Sequence, residues 1–560
     1  TILGLLALAG CADSRPPADE APSPKEDLRL VIETNTETDP AAVKAQVDEH
    51  FRTDSRIERL FPGPYPEGDP DRLGHYFIAE VPNARSPEQS EWDAAYEFRD
   101  AAGFLVVEPD FENTLESPTE DAIARGTCLV GDEGAPQDKG WSLRNIHVDA
   151  AWQLEPPAGG KRFGEGVLIC HPDTGWSEHL DLDHDRLALE HAANIIDGGQ
   201  DATDPFEEGP LLNPGHGTGT GSVIVSVGGL EEPEGTTGPG EVTGVAPAAR
   251  LVPIRTAKSV IQVFDSDLAR AIYHSVGSGC NVVSMSLGGR AFFGLRAAIR
   301  HAVRSQLIVA AAAGNCVRTV VAPAVYDECI AVAGTNIESK PWRGSSRGRA
   351  VVISAPAEHV WVARWNKPGA PENQVAPGQG TSFAVANVAG VAALWLAYHG
   401  PEELATRYGD TTNLQQVFID QVQESARVPD AWNENKFGAG IIDAEALLQL
   451  PLPDAAALTA RLAAVPSETQ LVLMARMLDR DVEQVEAAMA ELLDVDADDV
   501  ETELERWGPE LMQIWLENRE EFERVLAGLE ETAAEPEARA LAARASLRPL
   551  ASARLQQMMQ

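Results

Sequence analysis

The sequence predicts an α/β protein: a mostly parallel sheet flanked by helices, with a small α+β unit before it and an all-α unit after it. Three observations predict this. Between residues 141 and 450, short apolar runs alternate with Ala-rich helical runs, the pattern of a parallel sheet with crossover helices. Residues 28–112 carry two helical patterns set among four short strand-like runs. Beyond residue 450, Gly and Pro thin out and Ala, Leu and Glu dominate at helical spacing. With 560 residues and 44 % hydrophobic content, the chain is too long for one core and apolar enough for most of it to fold. A formal net charge of −43 sets nucleic acid aside as a partner, because a phosphate backbone attracts basic surfaces.

Residues 2–9 read ILGLLALA, an apolar run too short to span a bilayer. It ends in Leu8-Ala9-Gly10-Cys11, which resembles the lipobox of bacterial lipoproteins. The resemblance implies a signal over residues 1–11, export, and a lipid anchor on Cys11 holding the protein to a bacterial membrane. Outer membrane, periplasm or cell surface are the places this implies. An ordinary secretory signal peptide is the plainer reading. Residues 12–27, rich in Pro and charge, read as an extended tether.

Within 28–112, residues 29–35 read as a strand. Asp39 before Pro40 marks a helix start, and Val43, Val47 and Phe51 keep helical spacing. A short strand is expected near 57–61 and a clear one over 75–81. Ser86 to Gln89 reads as a capping box, with Trp92 and Tyr96 on one face of the helix it opens. Residues 104–109 close the unit. The order β-α-β-β-α-β is the ferredoxin-like arrangement. Residues 113–140 read as an exposed acidic linker.

In 141–450 the strand candidates are GVLICHP, ARLVPIRT, NVVSMSL, QLIVAAAA and CIAVAGT. They are short and continuously apolar, as strands buried on both faces should be. Residues 228–244 read as a turn-rich surface loop. In 451–560 the capping box Ser467 to Gln470 and two apolar stripes predict three to five amphipathic helices, with the last twenty residues disordered. Those stripes are either plain bundle core or a docking surface for a partner. Besides Cys11 the cysteines are Cys128, Cys170, Cys280, Cys316 and Cys329. An odd number outside the cytoplasm leaves at least one thiol unoxidised. Cys316 and Cys329, close together around an apparent loop, are the expected pair.

Four short motifs carry chemistry. Asp173-Thr174-Gly175 follows a buried strand, where α/β sheets place their sites. His216 lies in a Gly-rich turn before an apolar helix. Ser382 follows Gly380-Thr381 at the first turn of a long apolar helix, among unpaired N–H groups. Asn315 ends the run AAAAGN. Singly, each fits a turn, a structural histidine or a helix cap. Together they fall in the chain order Asp, His, Ser, one of the three known for a hydrolytic triad.

This set resembles the subtilisin-like serine proteases. The family's Asp-Thr-Gly, His-Gly-Thr, Gly-Thr-Ser and Ala-Ala-Gly-Asn motifs appear at Asp173, His216, Ser382 and Asn315. Residues 244–249, 283–289 and 438–443 fit its pattern as well. Departures stand at Gly219, where a second His is usual, at Ala386-Asn387, where Pro-His is usual, and at His171-Pro172, where aliphatics are usual. The resemblance implies a subtilisin-like sheet over 141–450 and a serine endopeptidase with Asp173, His216 and Ser382 as its catalytic residues. It implies Asn315 as an oxyanion donor. Ser286, Leu287 and Gly288 would pair with an extended polypeptide substrate, and Leu287 with residues 310–313 would form an apolar S1 wall.

It also implies that residues 28–112 are a propeptide that inhibits the enzyme as a zymogen until the 113–140 linker is cut before Trp141; a permanently attached domain is the plainer reading. No cofactor is required for this catalysis. The family's structural calcium finds candidate oxygens at Asp181, Asp183 and Asp185, a spacing that an acidic surface loop shares. The alternative from another class is a catalytically silent surface lipoprotein, binding a partner through the cleft or through the helical domain at 451–560.

Overall fold

The computed structural model describes residues 25–111, 134–182, 184–207, 213–228, 241–259, 264–364, 374–409, 414–455, 469–530 and 536–560. The expected signal and lipobox, most of the tether, most of the linker and Cys128 lie outside these residues.

The N-terminal unit comprises β1 (Glu26–Glu33), α1 (Pro40–Phe51), β2 (Arg56–Arg59), β3 (Tyr76–Arg85), α2 (Glu91–Ala102) and β4 (Val106–Pro109). Its antiparallel sheet has the order β2-β3-β1-β4, which follows from the expected β-α-β-β-α-β succession. The Asp39 carboxylate caps α1 by accepting from the Ala41 N–H. Helix α2 begins later than expected. Its N-cap is Ser90, whose Oγ accepts from Asp93 N and donates to the Asp93 carboxylate. That reciprocal pair leaves residues 86–89 as a turn. Period-two alternation splits the sheet. Leu28, Leu30 and Ile32 of β1 join Phe77, Ala79 and Val81 of β3 in a small core under α1 and α2. Val31, Tyr76 and Ile78 point to the other face, which packs on the central unit.

The central unit holds β5 (Leu168–Asp173), β6 (Ala193–Asn194), β7 (Arg250–Arg255), β8 (Val282–Met285), β9 (Ile308–Ala312), β10 (Ile330–Thr335) and β11 (Val351–Pro356). They form one parallel sheet in the order β11-β10-β9-β8-β5-β7-β6. All five expected strands are present. The two unexpected ones, β6 and β11, are the edges: β6 is only two residues long, whereas β11 is as apolar and buried as the expected strands. Antiparallel β12 (Val360–Arg364) and β13 (Gln374–Gly378) form a separate hairpin.

The main helices here are α3 (His216–Val225), α4 (Asp265–Gly277), α5 (Phe293–Arg304) and α6 (Thr381–His399). On one face of the sheet, α3 and α6 cover Ile169, Leu251, Val282 and Ile308. On the other, α4 and α5 cover Cys170, Val252, Val283 and Val309. A strand buried on both faces is continuously apolar for this reason.

Cysteine pairing differs from the expectation. Cys170 on β5 is bonded to Cys280, just before β8. Cys316 is also disulfide-bonded, whereas Cys329 is buried and takes no part in a disulfide. Adjacent parallel strands bring Cys170 and Cys280 together across 110 residues, which sequence proximity does not reveal.

The C-terminal unit has six helices among its described residues: α7 (Gln470–Leu478), α8 (Val482–Leu493), α9 (Val500–Glu517), α10 (Arg519–Glu530), α11 (Pro536–Leu547) and α12 (Ala553–Met558). Thr469, rather than Ser467, is the N-cap of α7. The last twenty residues are not disordered. Leu547, Leu555 and Met559 are fully buried, and the burial of these side chains holds the tail in place.

Candidate active site

Three elements converge at the carboxyl ends of the central strands. Strand β5 ends on Asp173, α3 begins on His216, and Ser382 lies in the first turn of α6. Asp173 is fully buried. His216 Nδ1 lies 2.8 Å from its Oδ1 and 3.0 Å from its Oδ2. A carboxylate only accepts, so Nδ1 carries the hydrogen and Nε2 presents a lone pair. Asp173 also accepts from the Thr174 N–H at 2.7 Å. Burial alone would raise the Asp173 carboxyl. The facing His216, with His171 and the Thr174 N–H, outweighs it and holds the group below its ordinary range.

The turn that carries His216 is tied to the end of β5. Asp204, buried, accepts from Thr174 Oγ1 at 2.9 Å and from the Gly215 N–H at 2.7 Å. Thr174 Oγ1 in turn accepts from the Gly217 N–H at 3.1 Å. Gly217 has no room for a side chain, since a Cβ there would lie 2.1 Å from the Gly175 carbonyl oxygen. That contact is why Gly follows His216. Asp204 was not singled out from the sequence; its only local signal is an Asp before Pro, common to turns.

Ser382 is buried, and its Oγ donates to the Ser286 carbonyl oxygen at 3.4 Å. No hydrogen bond joins Ser382 to His216 in this structure. The next residue, Phe383, has its ring centroid 6.5 Å from that of His216. Ser286 Oγ donates to the Ser382 carbonyl oxygen at 3.2 Å, which fixes the segment after β8 against the start of α6. Leu287 is buried and shares an apolar cluster with Ala311 and Ala313.

Asn315 is oriented by Thr381, whose N–H and Oγ1 both donate to Asn315 Oδ1 at 2.9 Å. Its Nδ2 is thereby left for another acceptor. A Cβ built on Gly380 would lie 3.4 Å from Asn315 Nδ2 and 3.8 Å from Ser382 Oγ, so donor and hydroxyl flank the same glycine.

Two of the three departures have structural accounts. Asn387 is buried and donates to the Phe383 carbonyl oxygen at 2.9 Å. His171 is buried behind Asp173 and contacts Thr220 Oγ1 at 2.8 Å. Two of the three candidate calcium oxygens lie among the described residues. Asp181 turns inward and accepts from the Val242 N–H at 3.1 Å, Asp185 is exposed, and Asp183 lies outside the described residues. Among the described residues no group of three His, Cys, Asp or Glu side chains is placed to hold a metal.

The chain is similar to known peptidases. Residues 164–440 match the Subtilase family of peptidases. The chain is 30 % identical over 267 residues to Thermitase of Thermoactinomyces vulgaris, spanning 46 % of this chain and 84 % of that protein. It is 26 % identical over 405 residues to Mycosin-1 of Mycolicibacterium smegmatis, spanning 62 % and 81 %. With Subtilisin E of Bacillus subtilis it shares 29 % identity over 242 residues, 42 % and 57 % of the two chains. A silent partner-binding lipoprotein draws no support from these relatives. With a parallel sheet of the expected kind and relatives of this coverage, the chain belongs to the subtilase family and is a serine endopeptidase.

Proposed function

We propose that the enzyme cleaves peptide bonds through an acyl-enzyme on Ser382. The observation that carries this is the 2.8 Å contact of His216 Nδ1 with buried Asp173, which leaves Nε2 as a base beside the start of α6. Rotation of the Ser382 side chain exchanges the Ser286 carbonyl oxygen for His216 Nε2; apo sites commonly tighten in this way when substrate enters. Ser382 Oγ then attacks the scissile carbonyl, and its proton passes to His216. The imidazolium, stabilised by Asp173, gives that proton to the leaving amine. Water repeats the sequence to release the acid. Asn315 Nδ2 and the Ser382 N–H stabilise the oxyanion. The backbone of Ser286, Leu287 and Gly288 pairs with the substrate as an added strand.

The reading extends to the ends of the chain. The N-terminal unit is an inhibitory propeptide, supported by its dense contact with α4 and α5. Arg29 reaches Asp267 at 3.1 Å, Arg270 reaches Glu58 at 2.9 Å, and Arg304 reaches Asp71 at 2.9 Å. Cleavage falls in the 113–140 linker. Export with a lipid anchor on Cys11 fits the Cys170–Cys280 disulfide, a bond that persists in oxidising compartments.

A fluorophosphonate probe tests the central claim. Wild type, freed of residues 1–140 if necessary, should label, and Ser382→Ala should not. Labelling that survives Ser382→Ala would overturn the assignment.

A further inference from the structure

We infer that the C-terminal helical unit is a clamp that retains the N-terminal unit on the enzyme after the linker is cut. The inference rests on the reading of the N-terminal unit as an inhibitory propeptide, and it assigns a task to residues 469–560 that the peptidase fold does not need.

The N-terminal unit is held from two sides. Its sheet lies on α4 and α5 of the central unit, where Asp110 accepts from Ser266 Oγ at 2.5 Å. Its helix α2 is held separately, by α9 and α12. The Tyr96 ring meets the Trp507 ring edge-on with centroids 4.7 Å apart, and both are buried. The Arg99 guanidinium lies 4.7 Å from the Tyr96 ring and 5.7 Å from the Trp507 ring. Around this centre, Trp92 Nε1 donates to Gln513 Oε1 at 2.7 Å. The Asp93 carboxylate accepts from the N–H groups of Ala553 and Arg554, at 3.1 and 2.9 Å. At the rim, Arg506 holds both oxygens of Asp100 at 3.0 Å. Buried aromatics ringed by polar contacts are how stable protein interfaces are built.

The clamp is itself fixed to the peptidase. Thr319 Oγ1 donates to the Met477 carbonyl oxygen at 2.7 Å, Arg476 pairs with Asp327 at 2.7 Å, and Arg519 donates to the Val317 carbonyl oxygen. One apolar cluster runs from Val31 and Tyr96, through Leu268 and Leu295, into Trp507 and Leu511. Two interfaces on one rigid frame act as a bivalent grip. Loss of either leaves the other at its own, weaker affinity.

The test uses the full chain carrying Ser382→Ala and a site for a sequence-specific protease within residues 113–133. After cleavage, size exclusion and native mass spectrometry follow how fast the N-terminal fragment leaves. The unmodified interface should keep the fragment. Trp507→Ala should speed its loss by about 10-fold or more, as for an interface hot spot, while Trp507→Phe restores most of the retention. Asp100→Arg, at an exposed position that faces Arg506 and Arg554 across the rim, should act in the same direction and guards against misfolding of Trp507→Ala. Equal release rates from all four proteins would overturn the clamp.

Probe labelling of the same cut proteins with Ser382 intact separates the two readings. A retained fragment over a freely labelled Ser382 removes the inhibitor and leaves the clamp. Labelling that rises on release, at rates blind to Trp507 and Asp100, removes the clamp and leaves the inhibitor.

Discussion

His171 Nε2 lies 3.5 Å from Asp173 Oδ2, the carboxylate oxygen that His216 Nδ1 also reaches at 3.0 Å. Two histidines thus face one buried carboxylate. His171 Nδ1 faces the Ser284 carbonyl oxygen at 3.3 Å, and its Nε2 meets Thr220 Oγ1 at 2.8 Å. Thr220 Oγ1 is 3.3 Å from Asp173 Oδ2. These three links run between two groups that only accept, so filling all of them takes three hydrogens. Burial depresses the His171 imidazole, opposed by Asp173, and so favours the neutral ring. A neutral ring and one hydroxyl supply two hydrogens. With Nδ1–H given to Ser284, His171 Nε2 competes with Asp173 Oδ2 and with the His216 carbonyl oxygen, 3.0 Å away, for the one Thr220 hydrogen.

His171→Val removes one of these competitors and makes the Thr220 hydrogen more available to Asp173 Oδ2. A better satisfied carboxylate pulls less on the imidazolium formed at His216. The acid limb of the kcat/KM profile should therefore move to lower pH, by less than about one unit, with kcat down by a few-fold. Rate profiles of both enzymes on one peptide check this. An acid limb displaced upward would contradict the hydrogen count.

Asn315→Ala removes a donor aimed at charge that develops only in the transition state. We expect kcat to fall by about 10²–10³ with KM little changed. Steady-state kinetics on a peptide ester and a peptide amide test it, and an unchanged kcat would remove Asn315 from the mechanism.

Asp204→Ala leaves the Thr174 hydroxyl hydrogen and the Gly215 N–H without an acceptor at once, both of them buried. An unsatisfied buried donor costs about 1–3 kcal/mol. The same bonds lock the end of β5 to the start of α3, so a lower Tm and a lower kcat should appear together. A thermal melt alongside the kinetics checks the coupling; full activity in a destabilised protein would confine Asp204 to stability.

The central sheet and the four motifs were legible because their causes are local. A strand buried on both faces is apolar throughout, and a motif such as Gly380-Thr381-Ser382 is read within three residues. What stayed hidden depends on contacts set by the fold. Thr220 meets His171 only because α3 packs over β5. Cys170 finds Cys280 only because β5 and β8 are neighbours. The last twenty residues read as disordered because the partners of Leu555, and the carboxylate of Asp93 at the start of α12, come from elsewhere in the chain. Ser90 displaced Ser86 as a cap because Asp93 answers it from within the helix.

Retention of the N-terminal unit should weaken as pH rises. Glu108 of β4 is buried against the central unit, where one oxygen accepts from the Phe293 N–H at 3.4 Å and the other has no hydrogen-bond partner. Burial first, then Asp265, Glu33 and Asp110 nearby, push its carboxyl up to about 8, against the pull of the Phe293 N–H; Arg290 also faces it. Asp267 across the interface is pushed up to about 6 by burial and by Asp110, although Arg29 opposes the rise. The sign follows. An acid whose docked value lies above its free value binds its proton more tightly when docked, so docking is unpenalised at low pH. It weakens from the free value near 4.5 up to about 8, and is constant beyond. The cut fragment should therefore leave several-fold faster at about pH 8 than at about pH 5. Glu108→Gln keeps the shape without the charge and should flatten most of that dependence. Release rates measured at a series of pH values, at fixed ionic strength, decide the matter: faster release toward acid pH would assign the dependence to other groups.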